Sequence, residues 1–219
     1  MRRRVIWPLC LALLLWRVGF VTSVAAEQIR SLLEMRRNAV VIQTHWWSCG
    51  AAAVATLLTS YYAIPVTETE TLTLIARSNP HAAADSSIGQ ALTLLALKQA
   101  LQAKGIESKA YRLDAATLYD YFSRGGLPLI MRLSYPQAHF VVGIGIVEDS
   151  IAVADPSFGE RLIDWTGLVY EHGFTGYVLV PIPATQQLEL VHMRQEVALA
   201  RFFQRYAYLD ALGGDLHHW

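Results

Sequence analysis

Two residues of the segment QTHWWSCG, Gln43 and Cys49, form a candidate pair of oxyanion donor and nucleophile. Cys49 opens an alanine-rich helical pattern, and the unpaired amides of a first helical turn stabilise a thiolate. Gln43 can bring its side-chain amide to the same place, where it would form an oxyanion hole with the Cys49 amide. Free cysteines are also common as small packing residues, and this alternative stays open.

A thiolate nucleophile needs a proton carrier, and His139 is the best candidate in the sequence. It begins the strand-like run HFVVGIGIV, so a rigid element would aim its imidazole. His45 is nearer to Cys49 along the chain, but nothing in the sequence orients it. A histidine that ends a strand without a chemical role is the alternative for His139.

The candidate for orienting the imidazole is Asp155, at the end of the next run, SIAVADP. A tight turn at 148–150 would pair Asp155 with Gly143, about 13 Å along the strand from His139. Because Gly143 and Gly145 permit a β-bulge, the hairpin can be sheared so that the two side chains meet. An aspartate before a proline is also a turn signal, so a structural role is the alternative.

Other candidate site features carry less information. Trp46 and Trp47 precede the cysteine and could line a substrate groove, although tryptophans near a helix start are as often packing residues. His217 and His218 lack companion ligands at usable spacing, so no metal site is predicted. Glycine-rich phosphate loops and GxSxG elbows are absent from the sequence, and no cofactor is expected.

The elements that must position these residues begin with helices. Apolar residues recur at helical spacing in the first half of the chain. The pattern predicts helices at Glu27–Arg37, Cys49–Tyr62, Glu68–Arg77 and Ile88–Ala103. Ser48 is the expected N-cap of the cysteine helix, and Gly105 is expected to end the fourth helix.

Strand patterns dominate the second half of the chain. Short β-branched runs are separated by turn residues, in the order IESKAYR, LPLIMRL, HFVVGIGIV, SIAVADP and Gly176–Pro181. A short helix capped by Asp114 interrupts them, and a helix over Gln186–Tyr208 follows them. Helices first and an antiparallel sheet second indicate the α+β class. We expect the terminal helix to cover the domain's own surface rather than dock a partner.

The N-terminal segment 1–26 has the order of a secretory signal peptide: three arginines, an apolar run and small residues ending at Ala26. A membrane anchor is the alternative, but Arg17 interrupts an apolar run that would need about 20 residues to span. Cys10 lies too early for a lipoprotein signal. We therefore expect cleavage after Ala26, a periplasmic location and no stable membrane span in the mature chain.

Composition predicts a folded chain that is not a nucleic-acid partner. The chain has 219 residues, 53% of them hydrophobic and 16% charged, which excludes intrinsic disorder. The 18 basic and 18 acidic residues balance, but four of the arginines belong to the signal segment. The mature chain is thus mildly acidic, which argues against nucleic acid. We expect one domain over 27–183 and a helical extension over 184–219.

Three motifs, QTHWWSCGAAAVATLL, AHFVVGIG and VADPSFGE, occur in an order that resembles the bacteriocin-processing cysteine peptidases. These are the double-glycine leader peptidase domains of peptide ABC exporters, and their fold is papain-like. The resemblance covers about residues 38–181. It implies that Gln43 is the oxyanion residue, Cys49 the nucleophile, His139 the base and Asp155 its orienter.

Two departures bear on the expected function. The family usually has an acidic residue before the cysteine, where this chain has Ser48, and no exporter or ATPase region follows. The chain is most similar to stand-alone periplasmic members, including those beside functional-amyloid secretion systems. We expect a periplasmic peptidase that cleaves an exported polypeptide, with secretion-system components as further possible partners. The alternative from another class is a non-catalytic peptide-binding or chaperone module.

Overall fold

The computed structural model of the chain describes residues 32–78 and 92–211. The predicted signal peptide, the first five residues of the first predicted helix, His81 and the two histidines of the tail lie outside these ranges. From Arg36 onward the described residues belong to one compact unit.

The order of elements follows the predicted change from helices to strands. In chain order they are α1 Leu32–Arg37, α2 Cys49–Thr56, α3 Glu68–Ser78, α4 Leu94–Ala103, β1 Glu107–Arg112, α5 Ala115–Ser123, β2 Leu129–Leu133, β3 His139–Val147, β4 Ser150–Asp155, β5 Gly159–Asp164, α6 Trp165–Tyr170, β6 Phe174–Ile182 and α7 Thr185–Ala211. A π-helical turn, Leu57–Tyr61, continues α2.

The strands form one antiparallel sheet in the order β1-β6-β2-β3-β4-β5. The α+β class predicted from the sequence is confirmed. Strand β5 and helix α6 are not among the predicted elements, because Asp155, Pro156 and Gly159 are turn signals and the next run with a clear strand pattern is Gly176–Pro181. A short turn does follow Asp155, and the chain re-enters the sheet at Gly159. The φ of Gly159 is +84°, a value that glycine adopts readily.

Helix α4 begins later than its sequence pattern indicates. Thr93 is extended, and its side chain accepts a hydrogen bond from the Ala96 amide, which caps the helix at Leu94. The expected start at Ile88 lies outside the described residues, but Thr93 itself is not helical. Gly105 ends the helix with a φ of +78°, as predicted.

Alternating residues of the sheet enter two separate cores. Val142 and Ala154 belong to the core on the side of α2, α4 and α7, whereas Val141 and Val153 belong to the core on the side of α5 and α6. The sheet is therefore covered on both faces, and α2 is held between the sheet and other helices. A cysteine at the start of α2 sits in a rigid setting.

The terminal helix α7 packs on the same domain. The side-chain amide of its buried Gln195 donates to the carbonyls of Gly126 and Ile144 at 2.8 and 2.7 Å. Leu199 lies so close to Gly145 that a Cβ there would be 2.9 Å from Leu199 Cδ1. The prediction that this helix covers the domain's own surface is confirmed.

No helix within the described ranges 32–78 and 92–211 is both long and apolar enough to cross a membrane.

Candidate active site

Three of the predicted site residues meet at one place. His139 Nε2 lies 2.8 Å from Asp155 Oδ1, and Cys49 is close enough to interact electrostatically with the same imidazole. Since Nε2 faces Asp155, Nδ1 is the ring nitrogen that remains for proton exchange with Cys49. Cysteine, histidine and aspartate thus lie together in the order that a thiol nucleophile needs. An arrangement of this kind can activate a thiol and carry its proton.

The surroundings of His139 favour its charged form. Burial by itself lowers the pKa of His139, but the hydrogen bond to Asp155, the interaction with Cys49 and the charges of both outweigh burial and raise the pKa to about 9. The imidazole is therefore protonated at neutral pH. A protonated imidazole next to a cysteine stabilises the thiolate.

Asp155 is fully buried and has more partners than the sequence indicates. Its Oδ1 also accepts a hydrogen bond from the Ser157 amide at 2.8 Å, and Arg161 Nη2 lies 3.0 Å from Oδ2. Burial alone would raise the pKa of Asp155, but the bond to His139 and the charges of His139 and Arg161 hold it below its ordinary value. Sequence reasoning missed Arg161, because nothing placed it on a strand beside Asp155.

The register of the β3–β4 hairpin resolves the distance problem between His139 and Asp155. The turn has two residues, since Val147 pairs with Ser150, and the register shifts between Gly143 and Gly145. The predicted bulge is confirmed, while the predicted pairing of Asp155 with Gly143 is wrong. Gly143 pairs with Val153, so Asp155 is two residues nearer to His139, a separation that diagonal cross-strand neighbours bridge.

The glycine that follows Cys49 allows α2 to pack close to the strand that carries His139. A Cβ on Gly50 would lie 3.1 Å from Leu97 Cδ2 and 3.2 Å from Phe140 Cδ2, both tighter than ordinary contact. Because Phe140 follows His139 on β3, the missing side chain at Gly50 lets the first turn of α2 approach the strand that carries the histidine. The Cys-Gly pair therefore has a packing reason in this fold.

Ser48 caps α2 differently from the prediction. Its hydroxyl makes no cap bond to the helix; it donates to the His45 carbonyl at 2.8 Å and accepts from the His45 amide at 3.1 Å. The serine hydroxyl therefore bonds within the loop that precedes Cys49, to the backbone of His45. It stands where the resembled family usually has an acid, and it is fully buried.

Gln43 lies in the same loop, and both the nitrogen and the oxygen of its side-chain amide are hydrogen-bonded. Its Nε2 donates to the His45 carbonyl at 2.8 Å, and its Oε1 accepts from Ser157 Oγ at 3.0 Å. One Nε2 hydrogen is left for another acceptor. Its backbone amide donates to the Pro156 carbonyl at 2.9 Å. The residues after Asp155 thus contact the predicted oxyanion residue directly, which sequence reasoning missed.

A buried carboxylate fixes the middle of this loop. Glu68, 4% exposed at the start of α3, accepts bonds from the Thr44 amide at 3.0 and 3.1 Å and from Thr44 Oγ1 at 2.8 Å. Its charge also suits the positive end of a helix dipole. The sequence shows Glu68 only as an ordinary first-turn acid, so its role could not be predicted.

The two tryptophans of the loop differ in their surroundings. Trp46 is 81% exposed, whereas Trp47 packs against the core of the α2 side and stacks on His45, with ring centroids 5.2 Å apart. Trp46 is the more accessible of the two predicted groove residues. Trp47 has the surroundings of a packing residue.

In the described part of the chain, no group of three or more histidine, cysteine, aspartate or glutamate side chains could hold a metal ion. The chemistry that the arrangement offers is that of a thiol nucleophile with a protonated imidazole beside it. Residues 37–186, which contain the whole arrangement, match the Peptidase C39 family. The chain belongs to the Peptidase C39 family. It is a cysteine peptidase.

Two relatives of this C39 peptidase carry the name probable functional amyloid protease FapD. The protein from Pseudomonas aeruginosa is 28% identical over 160 residues, which are 69% of this chain and 67% of the relative. The protein from Pseudomonas fluorescens is 28% identical over 163 residues, which are 71% of this chain and 69% of the relative.

Solved structures confirm the papain-like α+β fold of the C39 peptidase. One is a double glycine motif protease from an AMS/PCAT transporter in complex with the leader peptide, with a TM-score of 0.54, 26% identity and coverage of 66% of this chain and 91% of that one. Another is the peptidase domain of Streptococcus ComA, a bi-functional ABC transporter, with a TM-score of 0.54, 20% identity and coverage of 67% and 98%.

Proposed function

We propose that the chain is a periplasmic C39 peptidase that cleaves an exported polypeptide through Cys49, His139, Asp155 and Gln43. The observation that supports it best is the hydrogen bond between His139 Nε2 and Asp155 Oδ1, with Cys49 beside the same imidazole, within a fold of peptidases. The names of the FapD relatives favour a functional-amyloid polypeptide, or a protein secreted with one, as the substrate.

The reaction begins when the Cys49 thiolate attacks the scissile carbonyl carbon, a C–S bond forms and the carbonyl electrons move to oxygen. The Cys49 amide and the remaining N–H of Gln43 Nε2 stabilise that oxyanion. As the C–N bond breaks, protonated His139 gives its Nδ1 proton to the leaving amine. Neutral His139 then takes a proton from the water that hydrolyses the thioester, and the thiolate is released.

Asp155 keeps its negative charge throughout this cycle. It accepts from His139 Nε2 and so directs Nδ1 at Cys49, and its charge stabilises the imidazolium that each half-reaction needs. Arg161 and the Ser157 amide hold the carboxylate in place.

The decisive experiment compares envelope proteins of cells that carry the wild type with those of cells that carry Cys49→Ala. Mass spectrometry of protein termini should show at least one polypeptide whose new terminus is absent from the variant. Cys49→Ala should remain folded, because alanine fits a position that is 5% exposed among alanines. Cleavage that persists in Cys49→Ala would contradict the proposal.

Thiol labelling separates the peptidase from the alternative of a non-catalytic binding module. An activated thiolate next to protonated His139 should react rapidly with iodoacetamide at neutral pH, and His139→Ala should slow the reaction. His192→Ala, which removes a histidine of the terminal helix α7 and leaves Cys49 and His139 in place, is the matched control. A slow rate that His139→Ala does not change would favour the binding module.

Trp46 is proposed to contact the substrate. The loop that supplies Gln43 and Cys49 presents this side chain to solvent, three positions before the nucleophile in the chain. We expect Trp46→Ala to raise KM several-fold with little change in kcat, because the lost contact is equal in the ground and transition states. Trp47→Ala should instead lower the free energy of unfolding. A change in kcat alone for Trp46→Ala would contradict a binding role.

The periplasmic location is proposed from the segment 1–26. Purified from the cell envelope, the mature protein should begin at Glu27 by N-terminal sequencing. Leu13→Arg, which breaks the apolar run, should leave the full-length chain in the cytoplasm. A wild-type chain that retains Met1 in the cytoplasm would contradict the location and leave the proposed chemistry intact.

A further inference from the structure

The turn after Asp155 bonds to two parts of the proposed machinery at once. The Ser157 amide donates to Asp155 Oδ1 at 2.8 Å, and the Ser157 hydroxyl donates to Gln43 Oε1 at 3.0 Å. The preceding carbonyl, of Pro156, accepts from the Gln43 amide at 2.9 Å. Gln43 and Asp155, which are 112 positions apart along the chain, are therefore hydrogen-bonded to the same short turn.

These contacts fix which way the Gln43 amide faces. A carbonyl oxygen can only accept, so the group next to the His45 carbonyl must be Nε2, and the group next to Ser157 must be Oε1. The opposite orientation would aim Oε1 at the forming oxyanion, where like partial charges repel. One Nε2 hydrogen is bonded to the His45 carbonyl. Because the amide group is planar, the hydrogen bond to Oε1 then fixes the direction of the second Nε2 hydrogen.

From this arrangement we infer that Ser157 is a positioning residue for the oxyanion hole, acting through Gln43. The inference rests on the proposed role of Gln43. The Ser157 hydroxyl donates to Gln43 Oε1 and so holds the amide with its free Nε2–H pointing to the oxyanion. The backbone amide of Ser157 separately holds Asp155, and that second function does not need the side chain.

The separation of these two functions makes Ser157→Ala an informative variant. Alanine removes the hydroxyl bond to Gln43 and keeps the amide bond to Asp155. Loss of a direct oxyanion donor lowers kcat by about 10²–10³; loss of its support should lower kcat less, by about tenfold. KM and the pH profile set by His139 should not change, because the bond acts on the transition state and leaves the triad intact. Ser157→Thr keeps a hydroxyl and should restore most of the activity.

A double-mutant cycle identifies the partner through which Ser157 acts. The assay uses a fluorogenic peptide spanning the bond that the comparison of wild type with Cys49→Ala identifies. In a Gln43→Ala background, Ser157→Ala should cause no further loss of kcat. Ser123→Ala, which removes one hydroxyl bond to the Asp120 carbonyl far from the site, is the control and should leave kcat unchanged.

The outcomes separate this inference from the proposed function. If Ser157→Ala retains wild-type kcat, or lowers it equally with and without Gln43, the positioning role is wrong. In either case a dead Cys49→Ala variant would leave the peptidase mechanism standing. If Gln43→Ala itself has no effect on kcat, the proposed oxyanion hole is wrong, and the role of Ser157 falls with it.

Discussion

Asp155 and Glu160 are two buried carboxylates on opposite sides of one short turn, and they have different partners. Asp155 is 0% and Glu160 2% exposed; Asp155 is the last residue of β4 and Glu160 the second residue of β5. Asp155 bonds to His139, whose proton can leave near neutral to alkaline pH. Glu160 pairs with Arg201 at 2.8 Å and with Arg205, whose charges are permanent.

The difference shows that burial of a charge does not by itself mark a catalytic group. Glu160 joins the sheet to the terminal helix α7, since both of its arginines come from that helix. Asp155 faces a group that must gain and lose a proton in the proposed cycle. The carboxylate that we propose to be catalytic differs from the structural one in that its partner can titrate and lies near the proposed nucleophile.

Of the two buried carboxylates, Asp155 should have the larger effect on activity. We expect Asp155→Ala to lower kcat/KM by about 10²–10³, because His139 loses both its orientation and its stabilising charge. Steady-state kinetics on the identified substrate measure this loss. Asp155→Asn is the matched variant: its side-chain oxygen still accepts from Nε2 but carries no charge, so its loss should be smaller. Equal losses would mean that charge alone matters.

Removal of the charge of Glu160 should act on stability instead. Glu160→Gln leaves two arginines without their anion, and because both arginines are partly solvated we expect a loss of about 2 kcal/mol in the free energy of unfolding. Urea titration followed by tryptophan fluorescence measures it. Replacement of the whole cluster by Glu160→Leu, Arg201→Met and Arg205→Met should recover much of the loss. Below the unfolding transition, kcat of Glu160→Gln should match the wild type.

The pH profile tests the titrating partner of Asp155. The pKa of His139 is raised from 6.5 to about 9, so its stabilisation of the fold is complete below about 6.5 and is lost as the pH rises through about 9. Activity that needs the imidazolium should decline over the same range, about tenfold per unit above pH 9. Asp155→Asn should move this alkaline limb to lower pH.

Glu160→Gln is the control for this profile, and its alkaline limb should coincide with that of the wild type. If Asp155→Asn and Glu160→Gln moved the alkaline limb equally, either buried carboxylate would set the pKa of His139. The contrast between the two carboxylates would then be wrong.

Local sequence signals were sufficient for the elements that carry the site. The helix at Cys49, the strand at His139 and the class of the fold followed from short-range periodicity. The bulge followed from two glycines in one strand. These features depend on residues close together in the chain, where spacing alone sets which side chains share a face.

Pairings between distant segments could not be predicted in the same way. Arg161 meets Asp155 because an unpredicted strand returns beside it, and Ser157 meets Gln43 across 114 positions. Glu68 holds Thr44 by hydrogen bonds that no pattern signals. The residues proposed to react were visible in the sequence, whereas the residues that contact them emerge only when the sheet is assembled.

The smallest effect should come from a third carboxylate, Asp120, which accepts from Arg124 Nε at 2.9 Å on the surface of α5. The two side chains are 52% and 77% exposed, so water already solvates both charges. We expect Asp120→Asn to change the free energy of unfolding by less than about 0.5 kcal/mol and to leave kcat unchanged. Urea titration beside Glu160→Gln gives the comparison directly. A loss as large as that of Glu160→Gln would mean that pairing with arginine, and not burial, sets the stability of these carboxylates.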